Sequence, residues 1–65
     1  MRIVIVGASS VGQATARKLI GHGDSVILID KDREKLDAMS ETMDCGLLAG
    51  DGTDPDVLRD AITSE

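Results

Sequence analysis

The stretch MRIVIVGASSVGQA, residues 1–14, decides how this chain is read. Ile3, Val4, Ile5 and Val6 form a continuous β-branched run that stops at Gly7. A run that is apolar on both faces is the pattern of a strand buried inside a parallel sheet. Residues 10–20 then read as a helix, with Val11, Ala14, Thr15, Lys18 and Leu19 near one face. Between strand and helix lies a short loop of small residues, Gly7-Ala8-Ser9-Ser10-Val11-Gly12.

The same alternation continues outward. Gly21-His22-Gly23 ends the first helix, since glycine takes the left-handed cap without strain. Residues 25–30 read as a second strand of the same apolar type. Residues 32–43 read as a second helix, with Leu36, Met39, Ser40 and Met43 at i, i+3, i+4 and i+7 as its buried stripe. Asp32 and Glu34 fall in its first turn, where the helix dipole favours negative charge. Residues 45–49 make a third, weaker strand, followed by the loop Gly50-Asp51-Gly52-Thr53. Asp54 is placed as a helix cap with Pro55 in the first helical position. Val57, Leu58, Ala61 and Ile62 form the apolar side of that third helix. The order βαβαβα requires helical crossovers between parallel strands and predicts the strand order 3-2-1. This is the α/β, Rossmann-like half of a doubly wound parallel sheet, the mononucleotide-binding half.

Composition narrows the function classes. The 65 residues make one domain at most, with 42% hydrophobic and 29% charged residues, which is a globular balance. A core of this size rarely supplies more than about 3–5 kcal/mol. A single cysteine leaves no internal disulfide. The first strand would also have an unpaired apolar edge, which invites pairing with other chains. Residues 1–65 are therefore expected to be a truncated domain, or one covered by a second copy. The net charge of −5 and the absence of Phe, Tyr and Trp argue against nucleic acid as a partner. The apolar runs are too short to insert in a membrane. A free cysteine and no targeting signal point to the cytoplasm.

The loop carries the chemistry. In a dinucleotide-binding fingerprint the first glycine makes the turn, the middle one admits the pyrophosphate, and the last lets the helix pack on the strand. The helix N-terminus then offers N–H groups and partial positive charge to phosphate. Here Ser9 occupies the middle position, and its hydroxyl can donate to a phosphate oxygen, as can that of Ser10. Asp30 ends the second strand eighteen residues after Gly12, close to the spacing at which an acid accepts from ribose hydroxyls. A carboxylate there repels a 2′-phosphate and favours NAD(H), ADP or ATP. Lys31 belongs either to the ribose region or to the solvated helix face, to which Arg33 and Lys35 are assigned. Asp51 and Thr53 leave the third strand at the same sheet edge and are in reach of an adenine or ribose. Asp51 is read as a site residue, Asp54 as a cap only. His22 has no acid or nucleophile beside it and is not read as catalytic. Cys45, Met39 and Met43 are read as core.

The stretches MRIVIVGASSVGQATARKLIGHGDSVILIDKDREKLDAM and GDGTDPDVLRDA together resemble the TrkA-N domain, also called RCK or KTN. The resemblance runs over nearly the whole chain, and GDGTDPDVL is its most specific part. It implies a cytoplasmic, non-catalytic regulatory module that binds NAD(H), ADP or ATP. It also implies a homodimer or higher oligomer, acting beside the inner membrane through an integral membrane potassium-translocating subunit. On this resemblance Gly7, Ser9, Ser10, Val11 and Gly12 serve the phosphates. Asp30 and Lys31 serve the ribose region, and Asp51, Gly52 and Thr53 the adenosine side. Two positions depart from the family pattern: Ser9 replaces the usual middle glycine, and Ser10 stands where a larger polar or charged residue is common. The family domain is about twice as long. GASSVGQATARKL also looks like the start of a short-chain dehydrogenase, which would make the chain the cofactor-binding part of an NAD(P)-dependent oxidoreductase. That family needs three glycines in a longer spacing and a catalytic Tyr, and the chain has no Tyr.

Overall fold

Three parallel strands lie side by side in chain order, as the 3-2-1 reading requires. In the computed structural model, which describes residues 2–63, β1 is Arg2–Val6, β2 Ser25–Asp30 and β3 Gly46–Ala49. The helices between and after them are α1 (Ser10–Gly21), α2 (Arg33–Ser40) and α3 (Pro55–Thr63). Two rows of side chains cross the sheet on opposite faces. Ile5, Leu28 and Leu47 share one row, and Val6, Ile29 and Leu48 share the next.

The first face carries the core. Ala8, Ala16, Val26, Leu28, Leu36, Met39 and Met43 are buried together, with Ile5, Leu19, Ile20, Cys45, Leu47 and Ala49 packed around them. Apart from Ala8, Met43 and Cys45 in the connecting loops, these residues come from the sheet, α1 and α2, so both helices cover this side. On the other face α3 lays Ala61 near Ile27, Gly46 and Leu48. The Arg2 guanidinium donates to the Ile62 carbonyl at 2.7 Å and so ties the start of β1 to the last turn of α3. Leu28 and Ile29 on β2 are wholly buried. Each contributes about 1.5–3 kcal/mol of burial, which makes the central strand the anchor of the domain.

The inward face of α1 differs from the expected stripe. Gly12 and Ala16 are buried, and Leu19 and Ile20 are half-buried. Val11, Ala14, Thr15 and Lys18 are exposed, Val11 to 76%. At Gly12 the reason is space: a Cβ there would collide with the Gly7 carbonyl and come within 3.7 Å of an Ile5 methyl. The second helix is also shorter than 32–43. Asp32 caps it, accepting from the Lys35 N–H at 3.1 Å. It ends at Ser40, which is exposed, while Met43 returns to the core through a turn closed on the Met39 carbonyl. At the end of α1 the left-handed residue is Gly23, with φ +87°.

Candidate functional site

All three strands deliver their carboxyl ends to one edge of the sheet, where open α/β folds bind ligands. A cleft of 310 Å³ lies there, within the range of small-molecule pockets, about 300–1,000 Å³. Its walls are Val6 at the end of β1 and Gly7 after it, Ile29 and Asp30 at the end of β2 and Lys31 after it, and Gly50, Asp51, Gly52 and Thr53 after β3. The sheet pattern runs on into these loops. The Gly7 N–H donates to the Ile29 carbonyl at 2.7 Å, and the Gly50 N–H to the Asp30 carbonyl at 2.9 Å.

The glycine loop is built as a strand-to-helix turn. Gly7 has φ +103°, a conformation that L side chains rarely adopt. Gly12 lies against the Gly7 carbonyl, so that a Cβ on Gly12 would collide with that oxygen. Ser9 is the N-cap of α1, and its Oγ accepts from the Gly12 N–H at 3.3 Å. Ser9 thus supplies a cap where the fingerprint has its middle glycine, and it remains exposed beside Ser10.

Asp30 joins two of the loops. Its Oδ2 accepts from the Ala8 N–H at 2.7 Å and its Oδ1 from the Asp32 N–H at 2.8 Å. The Ala8 N–H most of all, then that of Asp32, hold its carboxyl below the usual carboxylate range. Partial burial opposes them. Each carboxylate oxygen still has lone-pair capacity for a ligand hydroxyl. Asp51 stabilises its own loop in the same way. Its Oδ1 accepts from the Thr53 hydroxyl at 2.7 Å and the Thr53 N–H at 2.8 Å. These bonds lower its pKa, with the Lys31 charge assisting. Lys31 Nζ stands 3.8 Å from Asp51 Oδ2, an ion pair at the mouth of the cleft. Asp54 is the helix cap expected of it, accepting from the Asp56 N–H at 2.9 Å.

Of the ten residues singled out in the sequence, Gly7, Asp30, Lys31, Asp51, Gly52 and Thr53 line the cleft. Ser9, Ser10, Val11 and Gly12 lie at the N-terminus of α1, next along the chain from Gly7, and do not line it. Val6, Ile29 and Gly50 line the cleft without having been singled out. Their signal was positional: Val6 and Ile29 stand at the carboxyl ends of β1 and β2, and Gly50 directly follows β3. A Cβ on Gly50 would come within 3.1 Å of a Val57 methyl, so this glycine lets α3 approach the cleft floor. Among the described residues no group of three or more His, Cys, Asp or Glu is placed to hold a metal ion. None of the described helices is long and apolar enough to cross a membrane.

Comparison with known proteins agrees with this architecture. Over 61 residues, 94% of the chain, it is 34% identical to the Trk system potassium uptake protein TrkA of Haemophilus influenzae. Over the same length it is 39% identical to the Trk system potassium uptake protein TrkA homolog of Pyrococcus horikoshii. A 44-residue stretch, 68% of the chain, is 39% identical to the glutamyl-tRNA reductase of Nitratiruptor sp.. The chain spans 13%, 27% and 10% of the lengths of these three proteins. The TrkA-N domain matches residues 3–65, and with all of β1 but Arg2, the glycine loop, Asp30 and the Gly50–Thr53 loop inside that match, the chain belongs to the TrkA-N domain family.

Proposed function

We propose that this chain is a nucleotide-binding regulatory module of a potassium uptake system, with NAD(H) as its first ligand and ADP or ATP as alternatives. One observation carries the reading. A positive-φ glycine turn, a strand-ending carboxylate and the Gly50–Thr53 loop converge on one cleft at the carboxyl edge of a parallel sheet. In this reading phosphates rest at the N-terminus of α1, by Ser9 and Ser10, where N–H groups and the helix dipole favour anions. Asp30 accepts from the ribose hydroxyls, and Asp51, Gly52 and Thr53 flank the adenosine. The module works in the cytoplasm as a homodimer or larger assembly, against an integral membrane potassium-translocating subunit, and catalyses nothing. The relatives' potassium uptake names support the partner. The free outer edge of β1 is where more protein would pair. Ligand shifts the partner only through different affinities for two arrangements of the assembly.

Calorimetric titration with NADH, NAD+, NADPH, ADP and ATP tests the binding; it needs no aromatic reporter. Saturable binding of NADH, ADP or ATP, with NADPH weaker, is expected. No binding of any of them would reduce the loop to a turn. The match to a reductase favours a second reading, the cofactor-binding part of an oxidoreductase. Potassium flux that responds to NADH or ADP supports the regulatory reading. Substrate-dependent NADH consumption without any effect on flux supports the other.

A further inference from the structure

Ala8 is held on every side. Its methyl group belongs to the core cluster and is wholly buried. Its N–H donates to Asp30 Oδ2 at 2.7 Å, and its carbonyl accepts from Gln13 Nε2 at 2.9 Å. Gln13 is half-buried on α1, and its own N–H donates to the Ser9 carbonyl at 2.8 Å. The two peptide planes that flank Ala8 are therefore fixed by two side chains from different elements.

The geometry assigns Gln13 as a positioning residue of the phosphate loop, acting by holding the Ala8–Ser9 peptide in one orientation. This assignment rests on the nucleotide reading above. A trans peptide sets its C=O and N–H in opposite directions. With the Ala8 carbonyl held by the Gln13 amide, the Ser9 N–H is aimed away from Gln13. A peptide free to turn would at times present its carbonyl where an anion needs a donor. The amide also occupies that carbonyl, so that its negative end is not left facing a phosphate. Gln13 touches no ligand in this role. It removes the cost of ordering the loop when phosphate arrives, which is the general route by which preorganisation raises affinity. Only the far end of the side chain is required, since the backbone of Gln13 serves α1 whatever residue stands there.

The test compares ADP with adenosine in calorimetric titrations of the wild type, Gln13→Met and Gln13→Ala. Methionine keeps the length and loses the donor. ADP affinity is expected to fall about tenfold in both variants, the worth of one hydrogen bond with its ordering. Adenosine affinity is expected to change less than twofold. Equal losses for ADP and adenosine would show general loosening and overturn the assignment. So would unchanged ADP affinity in variants that fold, with the nucleotide reading left standing. A folded wild type that binds neither ADP nor NADH overturns the nucleotide reading and this assignment with it. A measurement on the wild type keeps the assignment testable if both variants unfold. A through-hydrogen-bond NMR coupling between the Gln13 side-chain nitrogen and the Ala8 carbonyl carbon is expected, and a side-chain amide shift and exchange rate equal to those of a free glutamine would overturn the clamp.

Discussion

Gly12 and Gly7 meet backbone to backbone: the Gly7 carbonyl fills the space where any other residue at position 12 would carry its Cβ. A carbonyl of the main chain cannot rotate aside as a side chain does. In an exposed helix interior, exchanging glycine for alanine gains about 1 kcal/mol. Here the collision reverses the sign. Gly12→Ala is expected to destabilise the domain by about 1–3 kcal/mol net, the usual cost of overpacking. Denaturant unfolding measures it, and a stabilised variant would contradict the contact.

Gly52 faces a softer obstacle. A Cβ there would strike a methyl group of Val6, which is 57% exposed and can move. Gly52→Ala is therefore expected to cost about 1 kcal/mol or less. Removing the obstacle tests the cause. Combined with Val6→Ala, the cost should largely disappear, giving a coupling of about 0.5–1 kcal/mol in a double-mutant cycle. Simple additivity would show that the two residues do not meet.

Asp30 gives the domain a dependence on pH. Its folded pKa lies below its unfolded value of about 4, because two N–H groups favour the carboxylate. Its contribution is thus fully present above about pH 4 and is lost as pH falls through the lower, folded value. Asp51 adds to the slope in the same direction. Thermal unfolding between pH 2 and pH 6 should show stability rising with pH at the acid end. Asp30→Asn should flatten that rise and weaken NADH binding by about tenfold, the effect of losing a charge-assisted hydrogen bond. An unchanged acid slope would show that Asp30 is not held by the Ala8 and Asp32 N–H groups.

In the proposed nucleotide reading Lys31 is the cation that would answer a 2′-phosphate, and its Nζ stands 3.8 Å from Asp51 Oδ2. Asp51→Asn keeps Oδ1 for Thr53 and removes the charge that faces Lys31. Exposed ion pairs contribute little to stability, so the melting temperature should hardly move. The ratio of NADPH to NADH affinity should rise several-fold, since Lys31 is freed to answer the extra phosphate. A ratio that stays constant would remove Lys31 from the ribose region.

Much of this fold was legible because its strands are apolar on both faces. Residues 3–6 and 25–29 have almost no polar interruption, and only a sheet covered on two sides has a use for that. The sheet order followed from chain order. The inward face of α1 was not legible by hydropathy. Its contact is made by Gly12 and Ala16, whose value lies in being small, while the larger Val11 points outward. The end of α2 was misjudged because Met43 keeps helical spacing although the chain has already turned. Asp30 and Asp51 were singled out for a ligand, yet both also hold loops together. Which N–H a carboxylate meets depends on the path of a loop, and spacing along the chain does not encode it. Gln13 went unnoticed for the same reason.

The hydrogen bonds from Gly7 to Ile29 and from Gly50 to Asp30 hang both neighbouring loops on the end of β2. That strand also carries the two largest of the wholly buried side chains, Leu28 and Ile29. Two walls of the cleft are therefore fastened at their roots to the central strand, and we expect opening of the cleft to be coupled to loosening of the sheet. A ligand that fills it should raise the melting temperature in step with its concentration and slow amide exchange along β2 as much as in the loops themselves.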